Sequence, residues 1–135
     1  MDIKRNDATA NRPEGDRIID AHSVFMDIPV LLEQLKQENS WIKNDRNSIT
    51  AFKSDRLTMV VTALKAGAEM TSQKATALYT VLVLQGEVVI RTNDLERDVT
   101  KGQAMAFHPD ELQSIRAISE SHLLLTSYCK TKTEE

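Results

Sequence analysis

Few side chains in this sequence can do chemistry near neutral pH. Three histidines (His22, His108 and His122), one cysteine (Cys129) and two tyrosines (Tyr79 and Tyr128) make up most of the acid–base and nucleophilic inventory. No two histidines stand at the H-x-H or H-x3-H spacing that would point two imidazoles at one metal ion. The single cysteine excludes an internal disulfide and a cysteine-built zinc site, as in a reducing compartment. His22 lies in an apolar edge stretch and His122 opens the last apolar run, where imidazoles commonly face solvent. His108 directly precedes Pro109.

Charge narrows the choice further. Seventeen Lys and Arg against twenty Asp and Glu give a net charge of −3, and no basic cluster is interleaved with aromatics. A phosphate-neutralising nucleic-acid surface is therefore not expected. No run approaches the ~18 apolar residues of a membrane span. The first residues, Met1-Asp2-Ile3-Lys4-Arg5, hold no apolar stretch of the secretory kind, so the expected location is the cytoplasm.

The elements that must position these residues can be read from periodicity. At 135 residues, 41% hydrophobic and 27% charged, the chain is expected to form one domain. Residues 1–16 are polar with a single internal Ile and read as a disordered tail. Residues 17–40 read as an edge strand, Arg17 to Phe25, followed by an amphipathic helix. Pro29 suits the first helical turn, Val30, Leu31, Leu32 and Leu35 form an apolar stripe, and Asn39-Ser40 closes the helix. From Trp41 the period becomes two. Leu57–Leu64, Leu78–Leu84, Val88–Ile90, Leu95–Thr100, Gln103–Phe107, Ile115–Ile118 and Leu123–Tyr128 read as short strands, punctuated at Gln85-Gly86, Asn93-Asp94 and Lys101-Gly102. With the edge strand, this series predicts an all-β sandwich or barrel over residues 41–129, followed by a charged tail at 130–135.

The glycine framework carries a resemblance. Leu64-Lys65-Ala66-Gly67, Leu82-Val83-Leu84-Gln85-Gly86-Glu87 and Val99-Thr100-Lys101-Gly102 through His108-Pro109 resemble the cupin superfamily, over about residues 46–128. The resemblance implies a double-stranded β-helix, the RmlC-like jelly-roll barrel, with one N-terminal α-helix. The family's first motif, G-x5-H-x-H-x3-4-E-x6-G, laid on Gly67 and Gly86, places its two His at Gln73 and Ala75 and its Glu at Tyr79. The second motif, G-x5-P-x-G-x2-H-x3-N, laid on Gly102, places its His at Gln113. All four metal-ligand positions depart, and a carboxamide, a methyl and a phenol lack the charge or basicity that holds a divalent metal. No metal and no cofactor is expected.

What the resemblance places in the barrel is a polar cluster of Gln73, Tyr79 and Gln113, with His108 at the rim and Met59, Val61, Val81, Val83 and either Met105 or Phe107 as apolar neighbours. A mostly apolar cavity with a few placed amides suits a small organic ligand held by a sensor or carrier. The same residues could equally fill a small barrel. Two other readings stay open. One is an enzyme, either a metal-independent acid–base isomerase or epimerase using Tyr79 and His108, or one with an unconventional metal site around Gln73, His108 and Gln113. The other is a dimeric structural or interaction protein. If Tyr79, Val81 and Val83 face inward, Leu78, Thr80, Leu82 and Leu84 form an outward apolar row that needs a cover, and a homodimer is expected.

Overall fold

The computed structural model describes residues 4–5, 18–72, 78–109 and 111–129. Along them run β1 (Lys4–Arg5), β2 (Ile18–Asp20), α1 (Ile28–Lys36), α2 (Asn39–Lys43), β3 (Arg46–Lys53), β4 (Leu57–Leu64), β5 (Glu69–Ser72), β6 (Leu78–Gln85), β7 (Glu87–Arg91), β8 (Glu96–Thr100), β9 (Ala104–Phe107), β10 (Gln113–Ala117) and β11 (Ser121–Tyr128). The strands form a five-stranded sheet, β3-β4-β11-β6-β9, a four-stranded sheet, β5-β10-β7-β8, and a β1-β2 ribbon. Every strand pairing is antiparallel. The chain crosses between the two large sheets at β4 to β5, β5 to β6, β6 to β7, β8 to β9, β9 to β10 and β10 to β11. That alternation makes a jelly roll, the all-β barrel expected from the strand spacing.

The β6 to β7 crossing depends on Gly86. Its φ of 91° lies where a side chain is strained. A Cβ there would stand 2.8 Å from the Ser121 Cα, with the Glu120 carbonyl and the Ser121 hydroxyl nearer still. Glycine therefore serves both the turn and the close approach of the β10–β11 turn.

Between the sheets lies one apolar core, in which Leu64, Val81, Val83, Val88, Ile90 and Leu123 are fully buried. A second cluster lies on the other side of the five-stranded sheet. Here Leu31 and Leu35 of α1, with Trp41 of α2, pack on Ile49, Ala51, Val61 and Ala63. Asp27 caps α1 by accepting from the Val30 amide at 3.3 Å, and Pro29 sits in the first turn. Fully burying a leucine such as Leu35 stabilises by about 1.5–3 kcal/mol relative to leaving it exposed, so α1 is held mainly by this face.

The N-terminal region differs in detail from the expectation. The edge strand is three residues long rather than spanning Arg17 to Phe25, and Phe25 is 90% exposed. Lys4 and Arg5, read as part of a tail, pair with it. The remaining residues of 1–16, and the tail at 130–135, lie outside the described residues. The helical layer does not close at Asn39-Ser40. A further turn, α2, brings Trp41 beneath the ammonium groups of Lys65, at 4.9 Å from its ring centroid, and Lys36, at 5.8 Å. The strands β3 and β5, one mixed in composition and one only four residues long, had no separate signal in the periodicity.

Candidate functional site at the Gln113 end of the barrel

Register decides which end of the barrel each side chain occupies. Tyr79 pairs with Phe107 on one side and Ser127 on the other. Gln113 pairs with Ser72, and the next residue, Ser114, with Arg91. Phe107 ends β9 in one sheet and Gln113 begins β10 in the other, so the short link between them holds both at the same end. Gly86 and Ser121 mark the opposite end, together with the Val88–Ala117 pair.

Three of the expected site residues point into this end of the barrel. Phe107 is 3% exposed in the core. Tyr79 is half-buried, its ring 6.3 Å from that of Phe107 at a tilt of 32°, and burial pushes its phenol pKa above the usual value. No carboxylate or imidazole contributes to that shift. Gln113 is 1% exposed, and neither its Nε2 nor its Oε1 has a hydrogen-bond partner. Its side chain and the Tyr79 hydroxyl are therefore not joined. Among the described residues the other buried unpartnered side-chain atom is Asp20 Oδ1, on β2.

The other expected residues lie elsewhere. Met59 stands on the Val61 side of β4, facing the helical layer, so it does not line the barrel; Val61 itself packs against α1. β4 is apolar on both faces, and parity alone could not tell which face the helix would claim. The inward row is Val60, Thr62 and Leu64, with Thr62 bonded to Ser48 at 2.9 Å. His108 is exposed. Gln73 lies outside the described residues. The three histidines do not converge: His22 is exposed, and His122 sits near the opposite end with its Nε2 2.9 Å from Glu120 Oε2. Among the described residues no three His, Cys, Asp or Glu side chains are grouped to hold a metal.

One feature of this end had no counterpart in the periodicity. A cleft of about 290 Å³ is lined by Glu69 and Thr71 of β5, Arg91, Thr92 and Asn93 at the β7–β8 turn, and Leu112, Gln113 and Ser114 at the start of β10. Thr71, Arg91 and Ser114 are register neighbours on the outward face of the sheet, whereas the buried Gln113 side chain alternates to the inward face with Ile115 and borders the cleft from behind. The Asn93-Asp94 turn and the Gln113 position were each visible in the sequence; that β7 and β10 pair side by side was not.

Comparison with solved structures bears on the same architecture. A cupin superfamily protein from Desulfitobacterium hafniense superposes with a TM-score of 0.62 at 20% identity, over 64% of this chain and 80% of that one. The cupin domain of an XRE family transcriptional regulator from Enterobacter cloacae does so at 0.59 and 18%, over 65% of this chain and 100% of that domain. This chain has the cupin fold. A salicylate 1,2-dioxygenase from Pseudoaminobacter salicylatoxidans shares the cupin fold at a TM-score of 0.58 and 16% identity, over 62% of this chain and 27% of that one. No family model and no curated protein matches the sequence.

Cupin-fold neighbours thus include a regulator domain and an oxygenase, and the fold alone does not choose between them. The metal that cupins commonly hold is a poor match for the described donors. At the aligned positions, Tyr79 is a phenol, whose ionisation burial further disfavours, and Gln113 is a neutral carboxamide. No helix is long and apolar enough to cross a membrane among the described residues.

Proposed function

We propose that this cupin-fold chain is a sensor or carrier that binds a small organic molecule, without a metal, at the Gln113 end of its barrel. The observation that carries the reading is the Gln113 side chain, with a donor and an acceptor buried in the apolar end of a barrel and left without partners. An unpaired buried amide costs about 1–3 kcal/mol, and a ligand that pairs with it recovers that cost. A regulator domain of the same fold gives the sensor role a parallel.

The enzyme reading has less support. Tyr79 would need a base within hydrogen-bond reach; His108 is exposed and Tyr79 has no titrating neighbour in its pKa shift. The assembly proposed is a cytoplasmic homodimer.

The test is a thermal-shift screen of small metabolites against the wild-type chain and Gln113→Met. Ligands at about a hundred times their Kd should stabilise the wild type by ~2.7 kcal/mol and lose most of that effect in the variant. A crystal structure showing the Gln113 end sealed by the chain's own side chains, with no hit in the screen, would remove the proposal.

A further inference from the structure

We infer that the cleft on the outer face of β5, β10 and β7 is a second ligand site, built for a free α-amino acid with an apolar side chain. It lies on the opposite face of the sheet from the Gln113 amide and stands independently of the barrel site proposed above.

Register sets the floor of the cleft. Thr71, Ser114 and Arg91 lie opposite one another on β5, β10 and β7. Side chains paired in this way across neighbouring strands point to the same side of a sheet. The adjacent pair, Ile115 and Ile90, is buried in the core, so the row with Ser114 points outward. Glu69 shares that face, two residues before Thr71 on β5. The β7–β8 turn forms a wall. There the Thr92 hydroxyl accepts from the Asp94 and Leu95 amides at 3.3 and 3.2 Å, which fixes the turn that carries Asn93. Leu112, just before β10 and 45% exposed, is the apolar part of the lining.

Charge selects the ligand. Glu69 and Arg91 stand on strands about 10 Å apart, with β10 between them. They are not paired with each other. Arg91 gives one guanidinium nitrogen to Glu96 at 3.2 Å, and its other donors are left for a ligand. Glu69 forms no ion pair among the described residues, and its register partner Arg116 does not line the cleft. A simple cation would be repelled by Arg91, and a simple anion by Glu69. A neutral polyol would leave both charges unanswered. A molecule with a carboxylate and an ammonium on adjacent carbons answers both: the carboxylate accepts from Arg91 and the Asn93 amide, and the ammonium donates to Glu69. The hydroxyls of Thr71 and Ser114, able to donate and accept, lie between the two. Leu112 then covers an apolar side chain. A peptide bond at either end would remove one of the charges, so the match is to the free amino acid. At about 290 Å³ the cleft has room for one.

The experiment is a titration of the 15N-labelled full chain, followed by amide NMR, with four probes: L-leucine; isocaproate, which lacks the ammonium; isoamylamine, which lacks the carboxylate; and glucose. Leucine should move the backbone amides of Thr71, Asn93 and Ser114, with each of the other three at least tenfold weaker. Glu69→Gln should weaken leucine at least tenfold without weakening isocaproate, and Arg91→Gln should weaken leucine equally without weakening isoamylamine. Both side chains are exposed, so the two variants should fold and melt close to the wild type.

Isocaproate or isoamylamine binding as tightly as leucine would overturn the amino-acid class, as would tighter binding of glucose at the same amides. Leucine binding that survives both substitutions would show that the two charges do not hold it. If leucine at millimolar concentration moves none of the three amides, the site itself falls. The barrel site at Gln113 is judged by its own screen, so each of these failures leaves that reading standing.

Discussion

The residue on which the proposed function most depends is Gln113. Buried to 1% with both polar atoms unpartnered, it makes the ligand-free fold less stable than an apolar side chain of similar length would. Gln113→Met should therefore raise the unfolding free energy by about 1–3 kcal/mol, a rise of a few degrees or more in Tm, measurable by calorimetry. An unchanged or lower Tm would mean that the carboxamide is satisfied in solution and has no need of a ligand. Stability gained by removing a polar group from a binding site is the usual sign of a trade with function. Tyr79 differs at the same end: burial raises its phenol pKa, moving it further from the anionic form.

Among the elements, α1 is fastened to the barrel at two places. One is the apolar contact of Leu31 and Leu35 with β3 and β4. The other is ionic: Lys36, in the last turn of α1, pairs with Glu120 in the β10–β11 turn, and Glu120 also meets His122 at 2.9 Å. The hydrogen bond from Lys36, and next the one from His122, hold the Glu120 carboxyl below its ordinary value of 4.5 despite opposing desolvation. Because the folded value lies below the unfolded one, the stabilisation is present above about pH 4.5 and disappears as pH falls through the folded value. Glu120 is nearly half exposed, so the contribution stays below about 1 kcal/mol. Glu120→Gln should accordingly make the acid limb of a Tm-against-pH curve shallower below about pH 4.5, with little change at neutral pH. An acid limb identical to that of the wild type would show that the tie does not operate in solution.

For the whole molecule, the half of the five-stranded sheet away from the helical layer is the informative surface. The helical layer packs on β3 and β4 and reaches Leu124 of β11, while no described helix lies over the other outward positions of β6, β9 and β11: Leu78, Thr80, Leu82 and Leu84, then Ala104 and Ala106, then His122, Thr126 and Tyr128. None of these nine positions is Asp, Glu, Lys or Arg. An uncharged, largely apolar face can meet its own copy across a two-fold axis without like-charge repulsion, which supports the proposed homodimer. Light scattering should give twice the 15.2 kDa chain mass, and Leu82→Asp should shift the species to monomer. A wild-type chain that is monomeric at tens of micromolar would rule out this face as the dimer contact.

Much of the architecture was legible before folding was considered. The period-two runs, the glycines at 67, 86 and 102, and the Pro29 helix start are local signals, set by backbone sterics and by the apolar stripe each element must bury. The fold class and the inward row of β6, Tyr79, Val81 and Val83, followed from them. Strands without a local signal, β3 and β5, emerged only in the sheets, because a short or mixed strand is specified by its partners. The same holds for Met59. β4 is apolar on both faces, and only the docking of α1 determined which row met the helix and which entered the barrel. Gln113 was identifiable from the motif spacing, but that its amide is buried and unpartnered is a property of three strands, β5, β10 and β7, brought together from distant parts of the chain. The sequence by itself determined the barrel and the side chains available to it; tertiary structure alone decided which of them were left without a partner, because hydrogen-bond satisfaction depends on neighbours that no local pattern encodes.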